Sequence, residues 1–208
     1  EGLKEMGFDG VEVPIFDLNP DKYAAVGLWL DDLGLGRTGV ACRGGDDNPI
    51  SPDKAVRAAG LANNKLVIEC CQAAGIEVLV GPYHSAWGVF SGAGPTDDEW
   101  KWGVEGVRAA AEHAATCGVT LALEYLNRFE CYLLNCAADT VRFVEEVDHE
   151  HCRMMYDTFH ANIEEKDPVE AVRTAAPFLA HVHISENDRS TPGQGNIPWD
   201  ATFDVLKE

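Results

Sequence analysis

The feature of this sequence that most restricts its fold is the regular alternation of short apolar runs with amphipathic segments. The apolar runs begin on average about 34 residues apart, near positions 11, 38, 76, 119, 153 and 180. They are continuous rather than alternating, which is typical of strands covered on both faces. Segments with helical periodicity separate them. The pattern predicts repeated β–α units, either as a (β/α)₈ barrel or as an open doubly wound sheet.

The boundaries of the predicted elements follow from caps and breakers. Strands are predicted at 11–14, 38–42, 76–81, 119–126, 153–157 and 180–185. Helices are predicted at 20–33, 52–74, about 97–117, 137–147 and 168–178, with a last one starting near Trp199. Ser51 followed by Pro52 predicts the N-cap of the second helix, and Gly75 predicts its end.

A glycine-rich motif at 34–39 superficially favours the open sheet. Its letters, GLGRTG, match the G-x-G-x-x-G pattern of dinucleotide-binding folds. That site needs the glycines after a strand and at the start of a helix, where the pyrophosphate meets the helix N-terminus. Here they follow a helix and lead into a strand. The motif therefore predicts a helix C-cap and a turn rather than a nucleotide site.

Charge and cysteine content weigh against several other classes of function. Sixteen basic and 35 acidic residues give a net charge of −19, which disfavours nucleic acids and anionic membranes as partners. No apolar run reaches the roughly 20 residues needed to span a bilayer, and no secretory leader opens the sequence. The seven cysteines lack paired spacing, which predicts reduced thiols in a cytoplasmic protein. No motif links Cys131 or Cys136 to a catalytic histidine.

Ionisable residues are concentrated at the carboxyl ends of the last three predicted strands, where a barrel carries its active site. In chain order they are Glu124, Asn127, Arg128 and Glu130, then Asp157 and His160, then His181, His183, Glu186, Asn187, Asp188 and Arg189. Neighbouring strands lie about 4.8 Å apart, so these side chains should converge. Oxygen and imidazole ligands with no cysteine nearby suit Mn²⁺, Co²⁺, Mg²⁺ or Zn²⁺.

Each of these residues also has a structural explanation when it is considered alone. Glu124 could pair with Arg128, Asp157 could cap the following turn, and His181 and His183 could be core imidazoles. The combination favours a metal site, because a carboxylate in an apolar strand costs several kcal/mol unless it is paired or metal-bound. His183 is the expected ligand, with His181 packed below it or supporting it.

Three long segments carry a family resemblance. They are LEYLNRFECYLLN at 123–135, MMYDTFHANIEEKD at 154–167 and HVHISENDRSTPGQGNIPW at 181–199, with weaker agreement at 7–14 and 81–88. In this order and spacing they resemble the ketose 3-epimerases of the D-tagatose and D-psicose group, within the xylose isomerase-like TIM barrels. The resemblance implies one (β/α)₈ TIM-barrel domain over residues 1–208, incomplete because its first and eighth strands are missing.

The resemblance also implies a site, position by position. It assigns metal ligation to Glu124, Asp157 and His183, and sugar binding to Glu130, His160, Arg189 and Trp87. The metal of such enzymes is Mn²⁺ or Co²⁺, sometimes Mg²⁺. Tyr125, Tyr156 and Ala161 depart from the residues common in the group, and they predict an altered pocket wall.

The implied reaction is epimerisation of a free ketose at C3 through a cis-enediolate. One glutamate removes the C3 proton and a second returns a proton from the opposite face. Glu124 is implied as one of this pair. Its partner ends the eighth strand, and Glu208, in the helix before that strand, is not the partner. The fragment by itself is therefore expected to be inactive.

Other functions remain open at this point. An aldose–ketose isomerase or a sugar-phosphate isomerase would keep the fold and the metal, although a phosphate needs a basic or glycine-rich pocket and only Arg189 lies near the last strands. A related DNA-repair nuclease is disfavoured by the charge of −19. A non-catalytic metal- or sugar-binding remnant would explain a missing second glutamate. Family resemblance implies a homo-oligomer, a dimer or a tetramer.

Overall fold

A computed structural model describes all 208 residues, and its centre is a curved sheet of six parallel strands. The strands pair in chain order, so each is hydrogen-bonded to its neighbours along the sequence. They are β1 (Gly10–Pro14), β2 (Gly36–Val40), β3 (Val78–Gly81), β4 (Thr120–Glu124), β5 (Cys152–Asp157) and β6 (Leu179–His183). Sequential parallel order with helical connections is the arrangement of a (β/α)₈ barrel, here with β1 and β6 as edges.

Helices connect the strands. They are α1 (Gly2–Glu5), α2 (Pro20–Leu33), α3 (Lys54–Ala74), α4 (Asp97–Cys117), α5 (Ala137–Val147), α6 (Thr158–Glu164), α7 (Pro168–Ala175) and α8 (Trp199–Leu206). Single 3₁₀ turns lie at Gly45–Asp47 and Ala176–Phe178. None of these helices combines the length and the apolar composition that crossing a bilayer requires.

One predicted helix start was wrong, and one short helix was not predicted. The N-cap of α3 is Asp53, whose side chain accepts a hydrogen bond from the backbone N–H of Ala55. Ser51 instead accepts a hydrogen bond from the N–H of Asp53, so the predicted start at Ser51 is displaced. The short helix α6 was not predicted, because it begins directly after β5 and has only seven residues.

The glycine-rich motif at 34–39 is confirmed as a helix end. Gly34 is the C-cap of α2 in the left-handed conformation, with φ 60° and ψ 40°. Gly36 is already the first residue of β2. A helix therefore precedes these glycines and a strand follows them, which is the reverse of a dinucleotide site.

Apolar side chains pack on both faces of the sheet. Leu121 and Leu123 of β4 belong to the large core that includes the helices. Ala122, between them, points to the other face and packs with Val80 and Met155 in a small inner cluster. Because side chains alternate along a strand, the residues two positions beyond Ala122 and Met155 also face inward. Those residues are Glu124 and Asp157.

The loop after β6 is held by one buried carboxylate, that of Glu186, which has no exposed surface. Its Oε1 accepts hydrogen bonds from the backbone N–H of Gly193 at 2.7 Å and from the indole N–H of Trp199 at 2.6 Å. Burial alone would raise the pKa of Glu186, but these hydrogen bonds outweigh it and lower the pKa to about 2. The anchored loop carries Arg189.

A pair of glycine substitutions tests the close packing of strands near the site. Gly81 ends β3 with φ 122°, and an added Cβ would lie 2.1 Å from the carbonyl oxygen of Ala41. We expect Gly81→Ala to lower the free energy of unfolding by about 2 kcal/mol or more. Gly106→Ala, in open space on α4, should raise it by about 0.5–1 kcal/mol. Urea titration measures both, and equal effects would contradict the packing described.

Replacing the loop anchor tests its charge. Because the folded-state pKa of Glu186 lies below its ordinary 4.5, ionised Glu186 stabilises the fold fully above about pH 4.5 and loses this effect as pH falls toward 2. Glu186→Gln should lower the melting temperature at pH 7, and the difference from the unaltered protein should shrink between pH 4.5 and pH 3. Glu105→Gln, at an exposed position on α4, is the control. A difference independent of pH would contradict the role of charge.

Candidate active site

A cavity of about 270 Å³ lies at the carboxyl ends of the strands. Every residue that the sequence singled out as a ligand or a sugar contact lines it. These are Glu124, Asp157, His183, Glu130, His160, Arg189 and Trp87. The remainder of the wall is mainly apolar, formed by Phe16, Val40, Ala41, Cys42, Pro82 and Leu126. The cavity thus combines a few convergent polar groups with an apolar wall, as small-molecule sites do.

Strand register brings the three candidate ligands together. Asp157 and His183 are direct partners across β5 and β6, and Glu124 is paired with Met155 across β4 and β5. Nδ1 of His183 lies 3.6 Å from Oε1 of Glu124 and 3.6 Å from Oδ2 of Asp157. These separations are too long for hydrogen bonds. The potential metal-ligand atoms of the three residues therefore lie close together without being hydrogen-bonded to one another.

The two carboxylate oxygens of Asp157 have different partners. Its Oδ1 caps α6 by accepting hydrogen bonds from the backbone N–H groups of Phe159 and His160, at 2.7 and 3.3 Å. Its Oδ2 faces His183. Burial would raise the pKa of Asp157, but the neighbouring His183 and His160 and the capping bond outweigh it and lower the pKa. The carboxylate is therefore both a helix cap and a candidate ligand.

The alternative in which Glu124 pairs with Arg128 is wrong. Arg128 binds the carboxylate of Glu164 instead, through Nε at 3.1 Å and a terminal nitrogen at 2.9 Å. Glu124 is buried, and its Oε1 faces His183 and, at 3.7 Å, Nε2 of His160. The carboxylate of Glu124 therefore has no cationic side chain of Lys or Arg to neutralise it.

His183 lies among three carboxylates. Burial by itself would lower its pKa, but Asp157, Glu12 and Glu124 outweigh burial and raise the pKa to about 12. An imidazole whose proton is held so tightly occupies a position of strongly negative potential. The arrangement therefore favours a cation at this point, either a proton or a metal ion.

His160 lines the cavity and is hydrogen-bonded to the loop that follows β4. Its Nδ1 accepts a hydrogen bond from the backbone N–H of Asn127 at 2.9 Å. Burial lowers the pKa of His160, outweighing the nearby carboxylates, so the ring favours the neutral form. A neutral imidazole that accepts at Nδ1 carries its proton on Nε2. That N–H points toward Glu124 and the cavity.

A second group of polar side chains in the cavity is organised around Glu130. Its Oε1 accepts hydrogen bonds from Asn127 at 3.0 Å and Arg189 at 2.8 Å, and its Oε2 accepts one from the Trp87 indole at 3.0 Å. Burial would raise the pKa of Glu130, but these three donors lower it. The Arg189 guanidinium also lies 4.0 Å above the Phe159 ring. Trp87, Glu130 and Arg189 thus form one connected polar wall.

Sequence reasoning overlooked a buried histidine behind the site. His84 is fully buried, and its Nε2 donates a hydrogen bond to the backbone carbonyl of Glu124 at 3.0 Å. Burial lowers the pKa of His84 to about 4, so the ring is neutral and Nε2 carries its proton. The only signal for it was its place in the weakly matching segment 81–88. His84 fixes the main chain that presents Glu124.

Two expectations about the pocket wall were wrong. Tyr125, Tyr156 and Ala161 do not line the cavity. All three are buried in the large core, and the two tyrosine rings have centroids 6.4 Å apart. Cys42, on the other hand, does line it, although no cysteine was expected near the ligands. Burial raises the pKa of the Cys42 thiol, which therefore stays neutral and is a poor ligand.

The donor set fits a divalent metal ion. Two carboxylates and an imidazole converge at the base of the cavity, and no lysine or arginine neutralises Glu124 or Asp157. Potential ligand atoms of Glu124, Asp157 and His160 lie within 4.8 Å of one another, with His183 adjoining them. Oxygen and imidazole ligands suit ions such as Mn²⁺, Co²⁺ and Mg²⁺.

Known proteins resemble this chain in sequence along almost its whole length. D-psicose 3-epimerase of Agrobacterium fabrum is 36% identical over 203 residues, covering 96% of this chain and 70% of the relative. L-ribulose 3-epimerase of Mesorhizobium japonicum is also 36% identical, covering 98% of this chain and 68% of the relative. This chain thus spans about two thirds or slightly more of the length of these relatives.

The fold of this chain is also similar to that of a known epimerase. A crystal structure of a D-psicose 3-epimerase in the presence of D-fructose superposes with a TM-score of 0.93 at 35% identity, covering 100% of this chain and 73% of that one. Residues 1–208 also match the family described as Xylose isomerase-like TIM barrel. Six sequential parallel strands and the predicted resemblance agree with these matches. The chain belongs to the xylose isomerase-like TIM barrel family.

Proposed function

We propose that this protein is a metal-dependent ketose 3-epimerase, which inverts C3 of a free ketose through a cis-enediolate. The observation that carries the proposal is the convergence of Glu124, Asp157 and His183 on one side of a cavity. The same cavity also contains polar side chains that can hydrogen-bond a sugar, including Glu130 and Arg189. Relatives named as D-psicose and L-ribulose 3-epimerases support the same reaction class.

We assign the metal to Glu124, Asp157 and His183. Mn²⁺ or Co²⁺ is the proposed ion, with Mg²⁺ as the alternative, because these ions accept mixed oxygen and imidazole ligands. When bound, the ion supplies electrostatic stabilisation for the negative charge that develops on the substrate as C3 is deprotonated. The protein positions both residues in advance, because His84 binds the backbone carbonyl of Glu124 and Oδ1 of Asp157 caps α6.

Glu124 is the proposed proton carrier at C3. Its carboxylate is buried in the protein and lines the cavity, where a sugar carbon can approach it. The other carboxylates of the wall have different tasks, since Asp157 caps α6 and Glu130 is bound by Trp87, Asn127 and Arg189. We therefore assign to these residues only one half of a two-base proton transfer, the half at Glu124.

Sugar hydroxyls are proposed to bind the polar wall. The His160 Nε2–H is a donor directed into the cavity, and Glu130 and Arg189 offer an acceptor and a donor that are already paired with each other. Such pairing orients both side chains before the sugar arrives. Trp87 is proposed to face the sugar ring, because its half-exposed indole is tethered to Glu130 at the rim.

An isomerase of aldoses and ketoses, or of sugar phosphates, would use the same ligands. A free sugar is favoured because Arg189 is the only lysine or arginine in the cavity wall, and its guanidinium already binds Glu130. A phosphate would need further basic groups or exposed backbone N–H groups. A metal- or sugar-binding protein without activity is the non-enzymatic alternative.

We further infer that residues 1–208 form one TIM-barrel domain in a cytoplasmic protein. Seven unpaired cysteines suit a reducing compartment. We also propose a homo-oligomer, a dimer or a tetramer, by analogy with the family.

Metal removal and restoration tests the proposed reaction. The complete gene product, stripped of metal, is incubated with D-fructose, D-tagatose and their C3 epimers. We expect interconversion only after Mn²⁺ or Co²⁺ is added, because the developing negative charge at C3 is otherwise unstabilised. Sugar phosphates are assayed in parallel. Metal binding without conversion of any sugar would favour the non-enzymatic alternative, and a strong preference for phosphates would favour the isomerase.

Two histidine substitutions test the division of roles in the site. His183→Gln should weaken Mn²⁺ binding by at least about 100-fold, because it removes a ligand. His160→Gln should leave Mn²⁺ affinity nearly unchanged but lower kcat/KM about tenfold or more, because it removes a donor to the sugar. Isothermal titration and steady-state kinetics measure the two effects. If His160→Gln weakened Mn²⁺ binding as much as His183→Gln does, His160 would be a ligand.

A further inference from the structure

One carboxylate next to the site does not line the cavity. Glu12 lies in the middle of β1, an edge strand, while His183 ends β6 at the opposite edge. The sheet curves enough for the two to meet: Nε2 of His183 lies 3.1 Å from Oε1 and 3.2 Å from Oε2 of Glu12. The two residues are 171 positions apart in the sequence.

Glu12 is itself held in place by two further groups. Thr38 of the neighbouring strand β2 donates a hydrogen bond from its hydroxyl to Oε2 of Glu12 at 3.2 Å. Nε2 of His181 lies 3.4 Å from the same oxygen. The carboxylate is therefore oriented from three sides, by Thr38, His181 and His183.

We propose that Glu12 is a positioning residue that fixes the orientation of His183 for metal binding. A carboxylate that accepts from Nε2–H leaves the lone pair of Nδ1 free. Nδ1 is the nitrogen that faces Glu124 and Asp157, each at 3.6 Å. The inference deepens the proposed function, since it takes His183 as a ligand of the metal in that site.

The same contact gives His181 a role. His181 does not line the cavity, and its ring lies beside that of His183, with centroids 5.1 Å apart. Through Oε2 of Glu12 it supports the carboxylate that orients the ligand. The two histidines of β6 thus contact one carboxylate, and only His183 reaches the cavity.

Mn²⁺ titration of the complete gene product, with two Glu12 variants, tests the proposal. Glu12→Gln keeps an oxygen acceptor without the charge and should weaken Mn²⁺ binding about tenfold. Glu12→Leu has similar bulk but no acceptor, and should weaken it about 100-fold, the upper end of effects for groups behind a ligand. Glu145→Gln, an exposed carboxylate on α5, is the matched control and should bind as the unaltered protein does.

A spectroscopic measurement separates orientation from mere packing. In the Zn²⁺-loaded protein, which is diamagnetic, the His183 Nε2–H proton should resonate downfield and exchange slowly with water. Glu12→Leu should abolish both properties, even if its melting temperature matches that of the control. Unchanged Mn²⁺ affinity in both Glu12 variants, or an Nε2–H signal unaffected by Glu12→Leu, would overturn the inference.

The outcomes for the two proposals are distinguishable. Mn²⁺ binding that weakens in the graded order, without conversion of any ketose, would support the role of Glu12 and contradict the epimerase. Conversion of a ketose with Mn²⁺ affinity unaffected by either Glu12 variant would do the reverse. Absence of Mn²⁺ binding in the unaltered protein would overturn both.

Discussion

The pairing of β5 with β6 is the constraint on which the site depends. Its register sets Asp157 directly opposite His183 and leaves both side chains on the inner face. Because side chains alternate along a strand, a slip of one residue would turn His183 toward the helices and move Val182 inward. The apolar packing of the outer face therefore selects the register, and the register in turn assembles the site.

The assembled site carries an electrostatic cost. Glu124 and Asp157 are buried beside an inner cluster of Val80, Ala122 and Met155, and neither is paired with a lysine or an arginine. Hydrogen-bond donors compensate in part, chiefly the cap of α6 at Asp157. The electrostatic potential at His183 remains negative. The surrounding carboxylates therefore raise the pKa of this histidine to about 12. Such a site binds a cation because its own residues leave negative charge uncompensated.

Much of the fold was predictable, because its signals are local. Periodicity and caps placed α2, α4 and α5 correctly to the residue. The errors arose where two local signals compete: Ser51 and Asp53 are both good N-caps, and only the folded chain decides between them. The helix α6 was missed because its cap, Asp157, is also the end of a strand and a candidate ligand.

The sequence by itself determined which chemical groups stand at the strand ends, and hence the family and the class of ligands. Tertiary structure decided how those groups are used. It directed Arg128 to Glu164 rather than to Glu124, and it fixed the His160 proton through the Asn127 backbone. It also brought Glu12 to His183 across 171 residues. Local sequence patterns cannot encode such contacts. The contacts depend on the curvature of the whole sheet and on which side chains it brings within hydrogen-bonding distance.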